Sequence, residues 1–296
     1  MGGDTGAARA AADAGLKSAA EFGAVVAHTS YLALAQAALA AGDVGTALDA
    51  TAAAWQHASV LPAMAALQRP YCAQAALAGG DLVAARRWAD EAVATSTGWN
   101  LMWALTTRAR VAIAQGEPEQ AERDAHDALA CAAEVRAYLG IASTIDCLAT
   151  LAGDAGSHHQ AARLFGAADA IRQRKGAVRF KIWDGGYESS VAALRTTLGE
   201  QDFDAAWAEG AAFSTDEAIT YAQRGCERKR TTSGWASLTP AEHDVVLLVS
   251  KGLANKDIAM RLLVSPRTVQ THLTHVYTKL GLTSRVQLVQ EAVRHT

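Results

Sequence analysis

The chain has 296 residues, half of them apolar, and a formal net charge of −3 at pH 7. That length is enough for two or more domains, each with its own core. Aromatic residues make up only 6% of the chain, which favours helices packed through alanine over a sheet-rich fold. The four cysteines are far apart and form no Cys-x-x-Cys pair, which favours core thiols in a reducing compartment over disulfides. We therefore predict an all-α protein.

The first residues carry no secretory signal pattern, and no apolar run approaches the roughly 20 residues that cross a bilayer. We expect a soluble, cytoplasmic protein without a membrane partner.

The charges are distributed unevenly along the chain. From residue 226 onward ten lysines and arginines face five acidic residues, so this end carries +5 and residues 1–225 carry −8. An acidic body with a basic end indicates that only the end binds a polyanion.

The first 222 residues contain a loose internal repeat. A glycine is followed by alanines five and twelve positions later, in frames spaced by 38, 36 and 40 residues. Each frame predicts a helix, a glycine turn and a second helix, with alanine where the two helices approach closely. This pattern is typical of a helical solenoid and resembles a degenerate tetratricopeptide repeat (TPR), although its period is longer and the aromatic consensus is missing. An irregular helical bundle is the alternative. The frames begin at Gly42, Gly80, Gly116 and Gly156.

Two more helices are predicted over residues 187–222, the second capped by Ser214 or Thr215. The following stretch, QRGCERKRTTSGWAS, is polar and basic and contains glycine and serine, as linkers do. The predicted organisation is a TPR-like helical-repeat sensor or interaction domain over residues 1–222, a linker over 223–237 and a C-terminal domain over 238–296.

The C-terminal domain carries start and stop signals for four short helices. Each helix has a Ser, Thr or Asn cap at its start, and two of them end at a glycine. The predicted capping boxes are Thr239-Pro240-Ala241-Glu242 and Ser284-x-x-Gln287, the other caps are Asn255 and Ser265, and the closing glycines are Gly252 and Gly281.

The third of these helices, residues 266–280, separates an apolar stripe from a polar face. Val269, Leu273, Val276 and Leu280 fall on one side at helical spacing. The opposite face has no acidic residue, and a carboxylate there would be repelled by DNA phosphates. The pattern indicates a helix-turn-helix whose second helix enters a major groove. The polar face consists of Arg267, Gln270, Thr271, Thr274, His275 and Thr278.

The segment LTPAEHDVVLLVSKGLANKDIAMRLLVSPRTVQTHLTHVYTKLGLTSRVQLV resembles the LuxR-type helix-turn-helix domain along its whole length. The motifs that carry the resemblance are L-T-P-x-E, G-L-x-N-K-x-I-A, S-x-R-T-V-x-x-H and K-L-G. The resemblance implies a four-helix DNA-binding domain that pairs through its last helix. It places base reading on Gln270, Thr271 and Thr274, backbone contacts on Asn255, Lys256, Thr268, His275 and Lys279, and the dimer interface on Val286, Val289 and Val293.

The segments AARLFGAADAIRQRKGA and FDAAWAEGAAFSTDEAITYA resemble the region before the DNA-binding domain in the large ATP-binding LuxR regulators. Those regulators carry an ATPase module ahead of helical repeats, but no G-x-x-x-x-G-K-[ST] loop occurs in this sequence. The chain looks like the C-terminal half of such a regulator, either a stand-alone short form or a truncated gene.

Catalytic and metal-binding patterns are missing from the sequence. The pair His158-His159 has no third ligand, and no G-x-S-x-G elbow occurs. We therefore expect no enzymatic activity, no metal site and no cofactor. Trp99 and Trp103, one helical turn apart, either pack between repeat helices or line a ligand pocket.

Our leading hypothesis is a sequence-specific transcriptional regulator that binds double-stranded promoter DNA as a homodimer and is nucleoid-associated when bound. A protein or small-molecule effector would act at the helical repeats. The alternative is a TPR-like interaction adaptor whose DNA binding is vestigial, which the uncharged Gln270 and Thr274 motivate.

Overall fold

The computed structural model describes residues 4–58, 62–134, 140–232, 235, 238, 240–262 and 264–295. Over these residues the regular secondary structure is helical and contains no strand, as the composition predicts. The chain forms two compact units, Met1–Ala222 and Gln223–Thr296.

The first unit is a succession of helices connected by short turns. A 3-10 helix, η1 (Lys181–Trp183), lies between its ninth and tenth α-helices, and its last helix continues beyond Ala222. The α-helices are α1 (Thr5–Phe22), α2 (Ala24–Ala41), α3 (Val44–Ala58), α4 (Pro62–Ala78), α5 (Leu82–Thr95), α6 (Gly98–Gln115), α7 (Pro118–Glu134), α8 (Ile141–Asp154), α9 (His158–Lys175), α10 (Asp184–Leu198), α11 (Glu200–Ala211) and α12 (Thr215–Thr232).

The four glycine frames coincide with the turns of four helix pairs, α2–α3, α4–α5, α6–α7 and α8–α9. Their glycines have φ between 73° and 82°, the left-handed region that ends a helix most readily without a Cβ atom. Asp43 and Asp81 then accept hydrogen bonds from the backbone amides of Thr46 and Ala84 at 3.0 and 2.9 Å, as predicted for helix caps. The repeated helix–turn–helix pattern is confirmed, while its assignment to the TPR family stays a prediction.

The alanines of the frames form the contacts between paired helices. All eight are fully buried, so each methyl group faces another helix and lets the two backbones approach closely. They are Ala47, Ala54, Ala85, Ala92, Ala121, Ala128, Ala161 and Ala168.

Helices α9 and α11 approach more closely still, through glycine. A Cβ atom added at Gly210 would lie 1.9 Å from the carbonyl oxygen of Arg163, and one at Gly166 would lie 2.3 Å from that of Trp207. Neither position has room for a side chain without separating the helices.

The region after the fourth helix pair contains three helices, α10 to α12, so the prediction of two was wrong. Gly199, with φ of 77°, divides the first predicted helix between Leu198 and Glu200. The predicted start of the last helix is confirmed. The Ser214 amide donates to the Glu217 carboxylate at 2.8 Å, and the Glu217 amide donates to the Ser214 hydroxyl at 3.2 Å.

Helix α2 is long and apolar enough, by length and composition, to cross a membrane, contrary to the expectation that no segment would be. It packs against α1, α3 and α4. Leu39 and Ala35 are fully buried there, and so are the polar His28 and Ser30. These contacts bury 33% of the apolar stretch within the first unit.

The predicted linker, residues 223–237, does not begin in a loop, because α12 continues through Thr232. The domain boundaries predicted from the sequence stay a prediction.

Among the residues that the structure describes, four α-helices of the second unit build their own apolar core. The predicted stripe is confirmed on its third helix, where Val269, Leu273 and Val276 are buried and Leu280 is partly buried. Leu288, from the last helix, is fully buried in the same core. The helices are α13 (Pro240–Ser250), α14 (Asn255–Leu262), α15 (Pro266–Leu280) and α16 (Arg285–His295).

Candidate nucleic-acid interface

Helix α15 begins and ends where the sequence predicts. The Ser265 hydroxyl accepts a hydrogen bond from the Thr268 amide at 3.0 Å, and Pro266 occupies the first turn. Gly281, with φ of 66°, ends the helix and donates its amide to the carbonyls of the last turn. Thr268 belongs to this cap, because its hydroxyl lies 2.8 Å from that of Ser265.

The polar face of α15 is exposed along the whole helix. Three threonine hydroxyls on it donate to the carbonyl four residues earlier, at 3.0 to 3.1 Å. Because each proton is used within the helix, each oxygen presents lone pairs to the outside. Such acceptors match the exocyclic amino groups of adenine and cytosine in the major groove. The threonines are Thr271, Thr274 and Thr278, and the other exposed residues of the face are Arg267, Gln270 and His275.

Asn255 connects α15, the helix predicted to enter the major groove, to α16. Its amide nitrogen donates to Gln270 Oε1 at 3.0 Å, and its oxygen accepts from Arg285 Nη1 at 2.8 Å. Arg285 also donates to the carbonyl of Leu253. The prediction that Asn255 caps α14 was wrong. Asn255 is the first residue of that helix, and amides of the first turn donate to the Ala254 carbonyl.

The contact with Asn255 fixes the orientation of the Gln270 amide. One lone pair of Gln270 Oε1 is used, which leaves the other lone pair and the whole amino group for a base edge. Gln270 can therefore still make a bidentate contact with adenine. Asn255 and Arg285 position it, and a direct contact of Asn255 with the DNA backbone stays a prediction.

The two lysines predicted to contact phosphates lie in different surroundings. Lys256 is exposed, and among the described residues no carboxylate lies within ion-pair distance of it. The Lys279 ammonium instead donates to Glu242 Oε2 at 2.6 Å, and Glu242 is only 3% exposed. His275 lies 3.9 Å from the other oxygen of Glu242 while its own side chain is 58% exposed. Lys279 therefore neutralises a buried carboxylate, so it is not equivalent to Lys256.

The three valines predicted to form a dimer interface differ in exposure. Val286 is 66% exposed. Val289 is partly buried and packs against the core of the second unit. The side chain of Val293 lies outside the described residues. Of the two valines whose side chains the structure describes, Val286 presents the larger apolar surface.

Sequence reasoning missed Arg285 and the pairing of Glu242 with Lys279. Glu242 was predicted to close a capping box with Thr239, which lies outside the described residues, so that box stays a prediction. The Glu242 carboxylate also accepts from Lys279, 37 residues away. No local sequence pattern predicts the pairing of Arg285 with Asn255 or of Glu242 with Lys279, because each joins helices that are distant in the sequence.

This four-helix unit contains a helix-turn-helix whose second helix, α15, exposes a polar face without carboxylates, which is the architecture of a DNA-binding module. Residues 236–292 match the model of the family described as bacterial regulatory proteins, luxR family (GerE). No solved structure matches the chain at a significant level.

Similar proteins occur in mycobacteria. The chain is 60% identical over 289 residues to proteins of Mycobacterium tuberculosis (strain H37Rv) and Mycobacterium bovis that are provisionally named HTH-type transcriptional regulators. The match covers 97% of this chain and 33% of each relative, so the chain spans about one third of their length. The oxygen regulatory protein NreC of Staphylococcus aureus is 44% identical over 64 residues, which are 22% of this chain and 30% of NreC.

Proposed function

We propose that the chain acts as a sequence-specific transcriptional regulator that binds double-stranded promoter DNA through α15. The observation that carries the proposal is the exposed polar face of α15, free of carboxylates, on a unit that matches the LuxR-type domain. The protein would act in the cytoplasm, associate with the nucleoid when bound, and catalyse no reaction.

Base reading falls to Gln270, Thr271 and Thr274. The amide of Gln270 donates to adenine N7 and accepts from adenine N6, a match worth about 1–3 kcal/mol of discrimination. The threonine oxygens accept from amino groups beside it.

Backbone contacts fall to Lys256, His275 and the capped start of α15 around Thr268. Each phosphate that a lysine neutralises releases a condensed counterion, so affinity falls as the salt concentration rises. Lys279 contributes less to this dependence, because Glu242 already balances its charge.

One recognition helix reads only a few base pairs, so specific binding calls for two copies of the unit. We assign the pairing to α16, with the exposed Val286 at its centre. The helical-repeat unit would receive a protein or small-molecule effector.

The uncharged Gln270 and the neutralised Lys279 favour one second candidate, an interaction adaptor with vestigial DNA binding. The two functions make opposite predictions for a mobility-shift assay with genomic fragments at two salt concentrations. A regulator gives discrete complexes with selected fragments at both, whereas an adaptor gives only weak binding that disappears at the higher salt concentration.

Selection of binding sites from random duplexes tests the residue roles. Gln270→Ala should relax the preference at one position per half-site, and Gln270→Lys should raise general affinity and shift that position toward guanine. Lys256→Ala should weaken binding to all sequences alike and reduce the salt slope by about one. Lys181→Ala, an exposed lysine of the first unit, is the matched control and should change neither. An unchanged consensus in both Gln270 variants would contradict its base-reading role.

A further inference from the structure

A cavity of about 440 Å³ lies within the first unit. Its walls come from α4, α6 and α8, the first helices of three successive pairs, together with α9 and α10. The segment that leaves α9, with Arg179 and η1, supplies Ile182 and Trp183 to the lining. The same segment contacts α2 and α10. Neither Trp99 nor Trp103 lines the cavity; their rings stack on each other, 6.4 Å apart.

We infer that this cavity binds a small organic carboxylate with an apolar, ring-sized body. The assignment of this cavity as an effector site rests on the proposed function. Because ligand binding is measured without DNA, a failure of this inference is distinguishable from a failure of DNA binding.

Positive charge exceeds negative charge in the cavity wall. Arg110 and Arg179 line it, and Asp146 is the single carboxylate among the lining residues. Asp146 is shared, because it forms ion pairs with Arg172 behind the wall and with Arg179, whose Nε lies 3.4 Å from its Oδ2. Within the lining itself, two guanidinium groups thus accompany one carboxylate. A buried excess of positive charge is costly unless an anion joins it.

Arg179 has a free donor in a fixed position. Its guanidinium carbon lies 3.3 Å from the ring centre of Tyr187, and Asp146 accepts from its Nε. Its Nη2 is buried and has no hydrogen-bond partner among the residues that the structure describes. Tyr187 covers one face of the group and Asp146 accepts from one donor. The unpartnered Nη2 leaves part of the charge of Arg179 without a compensating acceptor, which favours a carboxylate in the adjoining cavity.

Arg110 supplies the second cation. Its guanidinium carbon lies 4.6 Å from the ring centre of Trp183, and no carboxylate of the described residues lies within ion-pair distance. Burial raises the pKa of the neighbouring Cys147 thiol, which is therefore neutral at pH 7 and does not balance the charge of Arg110. An anion from outside the chain would balance it.

Apart from Asp146, Thr150 and Ser190, the remaining wall is mainly apolar and selects the rest of the ligand. The cavity volume is in the range of sites for small metabolites. Two arginines in a mainly apolar wall suit one carboxylate on an apolar body, and they disfavour a cation or a heavily charged phosphate ester. The apolar lining includes Leu77, Ile113, Phe165, Ile182, Trp183 and Tyr187.

The full chain is tested with benzoate, indole-3-acetate and hexanoate, each beside its neutral amide. Thermal melting at about 10 mM ligand reveals any dissociation constant tighter than millimolar, and calorimetry then gives its value. At least one carboxylate should raise Tm, and its amide should not. Quenching of Trp183 fluorescence should accompany binding.

Three variants test whether the two cavity arginines bind the ligand carboxylate. Arg110→Met and Arg179→Met should each weaken carboxylate binding by about 10-fold or more, since each removes a charge-assisted contact. Arg110→Lys should retain part of the affinity. Arg87→Met is the matched control, because Arg87 also covers a tryptophan ring, Trp88 at 5.0 Å, but lies outside the cavity lining. Equal binding of acids and amides, no binding of any of the three acids, or an equal loss in Arg87→Met would each overturn the inference.

Discussion

The ion-paired arginines of the first unit and the exposed cations of α14 and α15 serve different purposes. In the first unit, arginines join neighbouring helices through carboxylates: Arg108 bonds both oxygens of Asp124 at 2.7 and 2.8 Å and also reaches Asp90 at 3.3 Å. In the second unit, Lys256 and Arg267 are exposed. A cation that is paired within the fold stabilises the fold, whereas an exposed one remains available to a polyanion. The net charge of the whole chain, −3, does not reveal which cations are paired and which are exposed.

The units also differ in how their helices approach each other. The first unit relies on alanine and glycine, down to direct backbone contact between α9 and α11. The second relies on branched side chains such as Val269, Leu273 and Leu288. Small contact residues make the first unit sensitive to any added volume, whereas the second is sensitive to lost volume.

The largest expected effect comes from breaking an internal ion pair of the first unit. Arg108→Met leaves Asp124, whose side chain is 2% exposed, with the amide of Gln120 as its one remaining side-chain partner among the residues that the structure describes. We expect a loss of about 3–5 kcal/mol in the free energy of unfolding, measured by urea denaturation. The double variant Arg108→Met with Asp124→Leu should recover much of it. A double variant as unstable as the single one would show that shape, not charge, decides.

Lys279→Met sharpens the comparison, because Lys279 is a cation of the second unit that is paired internally. Its loss leaves the buried Glu242 without its ammonium partner, and we expect about 3 kcal/mol of destabilisation. Lys256→Met, at an exposed lysine, is the matched control and should leave stability within about 0.5 kcal/mol. Both are measured by circular dichroism of the full chain in urea. Equal stability of the two variants would contradict the structural role of Lys279.

The addition of one methyl group tests how closely α9 and α11 pack. Gly210→Ala should destabilise the first unit by about 2 kcal/mol, because the added Cβ meets the backbone of α9. Gly153→Ala is the control, since its Cβ would make ordinary contacts at 3.7 and 3.8 Å. It should stabilise α8 by about 0.5–1 kcal/mol, as alanine does in a helix. Thermal melting of the two variants should therefore shift in opposite directions.

The smallest effect concerns pH. Burial lowers the pKa of His28 below 6.5, with a further contribution from His57, because the charged form lacks solvent in the core of the first unit. The neutral form is therefore favoured on folding. Its stabilising contribution is complete above pH 6.5 and is lost as the pH falls from 6.5 through the lowered folded-state pKa. The melting temperature of the wild type should therefore fall more between pH 7.5 and pH 5 than that of His28→Leu.

Local signals in the sequence predicted most of the fold. The frames at Gly42 and Gly80, the cap at Ser265 and the stripe through Val269 each involve residues within one or two helical turns. Such patterns are set by backbone geometry and helix periodicity. Gly199 was overlooked because glycine also occurs inside helices here, as Gly166 and Gly210 do.

The candidate site was predicted only in part. The face of Gln270, Thr271 and Thr274 follows from helical periodicity. The partners of Asn255 and Lys279 do not, because Arg285 and Glu242 reach them only after the four helices pack. The cavity arginines were missed for the same reason: Arg179 and Asp146 are 33 residues apart and belong to different elements.

The ordered stacking of helix pairs has a consequence for how the chain reaches its native state. Each pair of the first unit closes over a turn of two or three residues, and its contacts are mainly with the next helices along the chain. Such a topology has a low contact order and folds rapidly, since little loop-closure entropy opposes each step. During synthesis the helix pairs can therefore form one after another, and the acidic unit can be folded before the ribosome releases α15.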